Sequence, residues 1–317
     1  MKTNRDREAK SAFKCGFVAV AGRPNAGKST LVNRLVGEEV AIVTPKPQTT
    51  RNRITGIRND PDTQVIFLDT PGVIDGARGM NAYLMKTARA AIADADIVVY
   101  LLDAAAAARR PAEADTVDLA AAEAIAAGGR PALLVLNKAD LLSDKGPLLP
   151  LTDAWSRRGF FKEVFPVSAA DGAGVDDLYA AIRSLLPAAE RLFPADQWSD
   201  LPEKFFVSEI IRGELFGHLR EELPYSSAVV VESFDETGRE EGVVRIHATI
   251  HVEKNSQRGI VIGKGGAMLK AIGISARQAA ERFLGARVHL MLRAAVSRNW
   301  TRDEREMRKL GCFDRQE

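Results

Sequence analysis

Residues 22–29 of this 317-residue chain read GRPNAGKS and directly follow the apolar run Gly16–Ala21. An unbroken apolar run of this kind is typical of a β-strand that is buried on both faces. A helical stretch begins at about Ser29, so the quoted residues lie in a strand–loop–helix turn. Glycines in such a turn let successive backbone N–H groups face phosphate oxygens, and the helix points its positive end at the same oxygens. The stretch therefore predicts a phosphate-binding loop.

Four further apolar runs alternate with helical stretches along the first half of the chain. The runs are Gln64–Leu68, Ile97–Leu102, Ala132–Leu136 and the weaker Val164–Val167, and the helical stretches are Ser29–Val36, Met80–Ala93, Ala112–Ala127 and Gly174–Leu186. This alternation predicts an α/β domain over residues 1–190, with a mostly parallel sheet and helices on both of its faces. Ligands bind at the carboxyl ends of the strands in such sheets, so we expect the motifs there.

The cysteine content and the apolar segments limit the class of protein. The chain has a net charge of +2 and two cysteines, Cys15 and Cys312, which lie far apart in sequence. That spacing argues against a disulfide framework or a zinc site and suits a reducing compartment. The start of the chain lacks the apolar core of a signal peptide, and the longest apolar run, Ile97–Ala108, is too short to span a bilayer. We expect a cytoplasmic protein, and we expect it to be a monomer.

A second motif, Asn137-Lys138-Ala139-Asp140, follows an apolar run and predicts a guanine site. The Asp140 carboxylate can accept two hydrogen bonds, from N1–H and from the 2-amino group of guanine. Adenine lacks both donors there and would leave a buried charge unpaired. The Lys138 stem can lie over the base, and Asn137 can tie this loop to the phosphate-binding loop. The motif therefore predicts selection of GTP over ATP.

A third motif, Asp69-Thr70-Pro71-Gly72, ends another apolar run and predicts the metal side of the pocket. The Asp69 carboxylate can hold Mg²⁺ through water, and the Gly72 N–H can bond the γ-phosphate. The Ser29 hydroxyl, at the end of the phosphate-binding loop, can ligate the same ion. We therefore predict GTP or GDP with Mg²⁺ as the bound cofactors.

The segment Thr44–Arg53 is polar and has no helical or strand period, which predicts a mobile loop. A threonine hydroxyl in such a loop can complete the Mg²⁺ shell while the γ-phosphate is present and leave after hydrolysis, as in the order–disorder switch of GTPases. The candidates are Thr50, which we favour, and Thr49, which stays open at this stage.

The residue after Gly72 is Val73, at the position where Ras-like GTPases carry a glutamine that orients the attacking water. A valine cannot hydrogen-bond water, so we expect slow intrinsic hydrolysis. Asn25 allows two interpretations. Its oxygen holds a K⁺ ion against the phosphates, where an arginine finger otherwise acts, or its side chain caps the loop.

These motifs define the predicted site. The residues expected to act on the γ-phosphate are Lys28, Thr50, Gly72 and Asn25. The predicted metal ligands are Ser29, Thr50 and Asp69. Backbone N–H groups after the fifth strand are expected to meet the guanine oxygen. The full set predicted to contact the nucleotide is Gly22, Arg23, Pro24, Asn25, Ala26, Gly27, Lys28, Ser29, Thr30, Asp69, Thr70, Pro71, Gly72, Val73, Asn137, Lys138, Ala139, Asp140, Ser168 and Ala169.

The second half of the chain has a different pattern. Residues 191–202 carry prolines and no strong period, which predicts a linker. Residues 203–317 predict an α+β domain with the order helix–strand–strand–helix–helix–strand. The segment Lys254–Arg302 contains ten lysines or arginines and one acid, Glu281, a local net charge of +9. Such a segment is typical of a surface that binds a polyanion.

Gly263-Lys264-Gly265-Gly266 lies within this basic segment and matches the Gly-x-x-Gly loop of a KH domain, which clamps about four single-stranded nucleotides. The element order is that of the type II KH fold. The residues predicted to contact RNA are these four together with Lys254, Arg258 and Lys270. The alternative is a membrane-surface GTPase whose basic half binds anionic lipid. We favour RNA because the apolar residues alternate or fit a core.

Five motifs taken together resemble the Era family of bacterial GTPases. They are GRPNAGKST at 22–30, Gln48-Thr49-Thr50-Arg51, DTPG at 69–72, NKAD at 137–140 and VIGKGG at 261–266, and the resemblance runs from about Cys15 to Cys312. It implies a GTP-controlled protein that binds 16S rRNA near its 3′ end and assists assembly of the 30S ribosomal subunit. It also implies Mg²⁺, slow hydrolysis and loose peripheral association with the inner membrane.

Overall fold

The computed structural model describes residues 12–44, 46, 49–72, 79–109 and 116–312. The first half contains six strands and six helices within that described part. They are β1 (Lys14–Gly22), α1 (Lys28–Val36), β2 (Ile54–Asn59), β3 (Thr63–Asp69), α2 (Gly79–Asp94), β4 (Ile97–Asp103), α3 (Ala104–Ala108), α4 (Thr116–Ala127), β5 (Ala132–Asn137), α5 (Leu148–Arg157), β6 (Glu163–Pro166) and α6 (Val175–Leu185).

The six strands form one sheet in the order β2-β3-β1-β4-β5-β6. All neighbouring pairs are parallel except β2 and β3, which are antiparallel. In the register, Val20 pairs with Asp69, and Asp103 pairs with Asn137. The carboxyl ends of β1, β3, β4 and β5 therefore meet at one edge. This confirms the mostly parallel α/β fold and brings the phosphate, metal and guanine motifs together.

The second half forms a smaller layer of helices on a three-stranded sheet. Its elements are α7 (Glu203–His218), β7 (Ala228–Asp235), β8 (Val243–Val252), α8 (Asn255–Ile262), α9 (Ala267–Leu284), β9 (Arg287–Val296) and α10 (Glu304–Lys309). The sheet order is β7-β8-β9, with β7 antiparallel and β9 parallel to β8. The helix–strand–strand–helix–helix–strand order is the predicted one. Apolar residues of α7, α9 and all three strands pack into a core of their own.

Two elements of the first half differ from the sequence prediction. The edge strand β2 was not predicted, because Gly56 interrupts its β pattern. A Cβ on Gly56 would lie 2.7 Å from a Val36 methyl, so the glycine permits close packing of α1 on the sheet. The helix α5 was not predicted, because Pro150 reads as a helix breaker, although proline is tolerated in a first turn.

The segment predicted as the linker, residues 191–202, is hydrogen-bonded to strands of the first sheet. The Ile57 N–H donates to Trp198 O at 2.7 Å, and the Ser199 hydroxyl donates to Thr55 O at 2.6 Å. Gln64 Oε1 accepts the N–H groups of Leu192 and Phe193 at 2.8 and 3.0 Å. The segment is irregular, but it contacts β2 and β3 along much of its length.

Among the described residues, no single helix is both long enough and apolar enough to cross a membrane. One bent pair, Asn255–Ile262 with Lys264–Leu284, meets that test by its combined length and composition.

Candidate functional site

The phosphate-binding loop has a backbone that requires its glycines. Gly22 and Gly27 have φ angles of +146° and +93°. A Cβ on Gly22 would lie 2.5 Å from Leu101 O, and one on Gly27 would lie 2.2 Å from the Asn137 amide nitrogen. The helix α1 begins at Lys28 without a side-chain cap. The N–H groups of its first turn are therefore left for a ligand, and its positive end points the same way.

Lys28 lies inside this loop, with 6% of its surface exposed. Its Nζ donates to Gly22 O at 3.2 Å and to Arg23 O at 2.9 Å. Burial lowers the pKa of Lys28 to about 8, and the nearby Asp69 carboxylate partly opposes that shift. The side chain therefore stays mostly charged at neutral pH, as a phosphate ligand requires.

The predicted metal ligands are in mutual contact. The Ser29 hydroxyl donates to Asp69 Oδ2 at 2.6 Å, and Thr50 Oγ1 lies 2.9 Å from Ser29 Oγ and 3.3 Å from Asp69 Oδ2. Asp69 is fully buried, and its Oδ1 has no hydrogen-bond partner within the described part of the chain. Burial raises the pKa of Asp69 to about 6. An orphaned carboxylate oxygen beside two hydroxyls is a donor set that fits Mg²⁺.

The structure separates the two candidate threonines. Thr50 faces Asp69, whereas Thr49 Oγ1 lies 2.6 Å from Thr44 Oγ1 and donates to Lys46 O at 2.8 Å. The Thr49 hydroxyl is therefore hydrogen-bonded within its own loop. Gly72 approaches the phosphate-binding loop so closely that an added Cβ would lie 2.6 Å from Pro24 N.

The substitution Thr50→Val is expected to weaken Mg²⁺-dependent binding of a GTP analogue by about tenfold and to leave GDP binding nearly unchanged. The reason is that valine removes a hydroxyl ligand that is needed only while the γ-phosphate is present. The measurement is titration calorimetry with each nucleotide, with and without Mg²⁺. Thr49→Val is the matched control, and an equal loss in the control would contradict the assignment.

The guanine motif is tied to the phosphate-binding loop through Asn137. Its amide nitrogen donates to Ala26 O at 2.7 Å, and its oxygen accepts the Ala169 N–H at 3.0 Å. Lys138 is in the left-handed region at φ 63° and pairs with Asp103 Oδ2 at 2.7 Å. The Asp140 side chain is exposed beside it. The Asp140 carboxylate is therefore open to solvent, three residues after the Asn137 side chain that bonds the phosphate-binding loop.

Two backbone groups expected to meet the guanine oxygen are already bonded. The Ser168 N–H donates to Ala173 O at 2.9 Å, and the Ala169 N–H donates to the Asn137 side chain. A guanine oxygen would have to share the Ala169 donor with Asn137. Val73, also predicted to contact the nucleotide, lies outside the described residues, as does Gln48.

Two acids that support the pocket, Asp103 and Asp118, were not predicted from the sequence. Asp103 is the last residue of β4 and pairs with Lys138, and its position at a strand end was an available signal. Asp118 is buried in α4, where it accepts the Tyr100 hydroxyl at 2.7 Å and pairs with Arg23 Nη1 at 3.5 Å. No local pattern marks Asp118, because its partners are distant in sequence.

The loop of residues 263–266 joins α8 to α9 in the second half. Gly263, Gly265 and Gly266 all have positive φ angles, of 72°, 59° and 81°. The cations predicted to contact RNA are all exposed, namely Lys254, Arg258, Lys264 and Lys270. The glycines differ in their surroundings. An added Cβ on Gly263 would lie 2.7 Å from Met268 Cβ, whereas Gly265 faces open space.

The loop that carries Thr50 is bonded to the second half. The next residue, Arg51, is buried and donates to Ser227 O at 2.7 Å, Tyr225 O at 2.9 Å and Pro224 O at 3.2 Å. Asn52 donates to Gly311 O at 2.8 Å. The side of the pocket that carries the predicted metal ligand Thr50 is therefore connected directly to the domain that carries the glycine-rich loop.

The fold and the site define a P-loop GTPase joined to a KH domain. Residues 17–138 match the family described as 50S ribosome-binding GTPase, and residues 222–301 match the KH domain. The chain belongs to the Era family of GTPases, as the sequence resemblance predicted. It is 45% identical to GTPase Era of Geobacter metallireducens over 300 residues, which cover 94% of this chain and 98% of that protein. It is also 45% identical to GTPase Era of Nitratidesulfovibrio vulgaris over 307 residues, covering 96% and 99%.

Solved structures of the family superpose over nearly the whole chain. Era in complex with MgGDPNP and nucleotides 1506–1542 of 16S ribosomal RNA matches with a TM-score of 0.89 and 35% identity, over 95% of this chain and 100% of that one. A variant of Aquifex aeolicus Era bound to GDP·AlF4⁻ matches with a TM-score of 0.89, 34% identity and the same coverage. The predicted fold class and the GTPase activity are confirmed.

Proposed function

We propose that this protein is a GTP-controlled RNA-binding protein that binds 16S rRNA near its 3′ end and assists assembly of the 30S subunit. The observation that carries the proposal is the bonding of Arg51, next to the metal-facing Thr50, to the domain that presents the glycine-rich loop. The presence of MgGDPNP and a 16S rRNA segment together in the Era structure supports it. The hydrogen bonds of Arg51 then link the GTP-binding pocket to the domain that binds RNA.

The geometry of the pocket supports the following roles for its residues. Lys28 and the amides of the loop bind the outer phosphates, and the Gly72 N–H bonds the γ-phosphate. Ser29, Thr50 and Asp69 hold Mg²⁺, which when bound neutralises charge on the β- and γ-phosphates. Asp140 selects guanine. Asn25, at φ 61°, keeps both of its interpretations, a K⁺ ligand or a loop cap.

The division into a GTPase domain (residues 1–190), a linker (residues 191–202) and a KH domain (residues 203–317) is part of this proposal. The hydrogen bonds from residues 192–199 to the first sheet support a linker that is held against the GTPase domain. We also propose a cytoplasmic location. The monomeric state and peripheral contact with the inner membrane stay predictions.

The substitution Gly265→Asp is expected to weaken binding of an RNA that spans nucleotides 1506–1542 of 16S rRNA by at least about tenfold. An aspartate at this exposed position would place a negative charge against the RNA backbone. No atom lies within 4 Å of the added Cβ, and although φ +59° strains any side chain there, aspartate is one of the residues that tolerate the left-handed region best. Thermal unfolding of the variant checks that the fold is retained. Gly263→Asp, the change that the motif first suggests, is a poorer test because it clashes with Met268. The measurement is fluorescence anisotropy with the GTP-analogue-loaded protein at several salt concentrations.

The matched control is Gly129→Asp, because Gly129 has φ +68° and open space around it but lies in the first half. Binding of the same variants to anionic lipid vesicles is measured as a second experiment. RNA binding that survives Gly265→Asp would contradict the RNA proposal. Loss of vesicle binding without loss of RNA binding would favour the membrane-surface alternative instead.

A further inference from the structure

The two residues that follow Thr50 attach it to the second half of the protein. Thr50 is buried, and its Oγ1 lies 2.9 Å from Ser29 Oγ and 3.3 Å from Asp69 Oδ2. Arg51 and Asn52 come next in the chain, are also buried, and are hydrogen-bonded to residues of the second half. The position of the Thr50 hydroxyl in the pocket is therefore coupled to contacts outside the first half.

The guanidinium group of Arg51 is bonded to residues 224–227. It donates through Nη1 to Ser227 O at 2.7 Å, and through Nη2 to Tyr225 O at 2.9 Å and to Pro224 O at 3.2 Å. Its central carbon lies 5.6 Å from the centroid of the Trp300 ring, within the range of a cation–π contact. Burial lowers the pKa of Arg51 to about 10, so the group is charged at neutral pH. A buried charge that lost these carbonyl partners would have to regain water, so the contact resists separation.

The Asn52 amide joins three segments of the chain. Its nitrogen donates to Gly311 O at 2.8 Å, and its oxygen accepts the Tyr83 hydroxyl at 2.9 Å. Tyr83 lies on α2 of the first half and packs against the apolar cluster that contains the buried Trp300 ring. The segment of Thr50, the helix α2 and the second half therefore meet at one side chain.

The chain ahead of Thr50 is attached to the second half as well. Lys46 Nζ donates to Phe216 O and to Leu219 O, at the C-terminal end of α7. The last carbonyl groups of a helix have no partner within the helix, and a cation there also matches the negative end of the helix dipole. The second half therefore bonds this segment both before and after Thr50.

These attachments lower the cost of ordering Thr50 for Mg²⁺. In GTPases the switch loop that carries this threonine is ordered by contacts with Mg²⁺ and the γ-phosphate and is released after hydrolysis. Ordering a loop costs conformational entropy, and a loop that other contacts already hold costs less to order when the ion binds. The contacts with the second half therefore contribute to Mg²⁺ affinity in the GTP-bound state.

We infer that Arg51 and Asn52 are positioning residues for GTP hydrolysis, which hold the Thr50 hydroxyl at the place where it serves as a Mg²⁺ ligand. The second half of the protein is thereby part of the GTPase site. This inference rests on the proposed role of Thr50 as a metal ligand. Because coupling between two binding equilibria is reciprocal, binding of GTP with Mg²⁺ also strengthens the attachment of this segment to the second half.

The first test is the Mg²⁺ dependence of nucleotide binding by the full chain without RNA, measured by titration calorimetry. Arg51→Gln is expected to raise the Mg²⁺ concentration for half-maximal binding of a non-hydrolysable GTP analogue by about tenfold, and to leave GDP affinity nearly unchanged. The same rise is expected in the Mg²⁺ dependence of single-turnover hydrolysis. Arg51→Lys keeps the charge but loses the planar fork that reaches three carbonyl groups, so its effect is expected to be intermediate.

Arg53→Gln is the matched control, because Arg53 follows Asn52 directly but pairs with Asp94 of the first half. It is expected to leave the Mg²⁺ dependence unchanged. Thermal unfolding checks the fold of each variant. Asn52→Ala removes the second attachment and is expected to raise the half-maximal Mg²⁺ concentration severalfold, so with Arg51→Lys it tests the inference even if Arg51→Gln folds poorly.

A double variant shows whether Arg51 acts through Thr50. Thr50→Val already lacks the hydroxyl that Arg51 positions, so adding Arg51→Gln is expected to cause no further loss. Losses that multiply in the double variant would overturn the inference. So would an unchanged Mg²⁺ dependence in the Arg51 and Asn52 variants while Thr50→Val shows its loss.

The outcome for Thr50→Val alone separates this inference from the proposed function. A Thr50→Val protein with the wild-type Mg²⁺ dependence would overturn the metal role of Thr50, and this inference with it. Because RNA is absent from every measurement, none of these results bears on the RNA proposal, which the Gly265→Asp variant tests separately.

Discussion

The substitution Lys28→Ala is expected to lower kcat for GTP hydrolysis by about 10²–10³-fold. Lys28 supplies the one buried positive charge of the phosphate-binding loop, and removal of a preorganised group that stabilises developing charge costs about that factor. The effect is expected in single-turnover measurements at saturating GTP, so that weaker binding does not account for it.

Two controls make this prediction specific. Lys162→Ala removes an exposed lysine from the same domain and is expected to leave hydrolysis unchanged. Thermal unfolding of Lys28→Ala checks the fold, because Nζ also bonds Gly22 O and Arg23 O. A correctly folded Lys28→Ala protein with wild-type kcat would show that the lysine is not needed for the reaction.

The substitution Asp140→Asn is expected to lower GTP affinity by about 10²–10⁴-fold and to raise affinity for xanthosine triphosphate. A carboxylate accepts from both N1–H and the 2-amino group of guanine, whereas an amide presents one acceptor and one donor. Xanthine has an oxygen in place of the 2-amino group and so matches the amide. Sites built around such hydrogen bonds discriminate strongly, because the wrong partner leaves a polar group unpaired.

Competition of GTP, ATP and xanthosine triphosphate against a labelled nucleotide measures this change. Asp177→Asn, an exposed aspartate at the start of α6, is the matched control. An unchanged preference for guanine in Asp140→Asn would show that another group reads the base, and the proposed role of the motif would then have to be abandoned.

The nucleotide pocket was largely predictable because each of its parts is local. A phosphate-binding loop needs glycines at fixed spacing within one turn, and its ligands lie at strand ends, which parallel pairing brings to one edge. Asn137 illustrates the limit of this reasoning. Its contact with the phosphate-binding loop was expected, and the structure has it at Ala26 O. Its hydrogen bond from the Ala169 N–H was not expected, because that bond depends on the distance between two loops.

The interface between the halves was not predictable. Residues 191–202 look like a simple linker in sequence, yet they bond to β2 and β3. Arg51 reads as part of a polar loop, yet its guanidinium is buried against residues 224–227. Neither contact produces a periodic pattern in the sequence, because each joins residues that are more than a hundred positions apart.

The sequence by itself predicted a chemistry for this protein, namely a triphosphate held by amides and Lys28, a purine bound by Asp140 and a polyanion bound by the loop at 263–266. Short-range backbone geometry and side-chain type are sufficient for that. The tertiary structure alone decided that Thr50 rather than Thr49 faces Asp69 and that Arg51 joins the pocket to the second half. Those features depend on burial and distance between remote segments, which are set only when the two halves pack together.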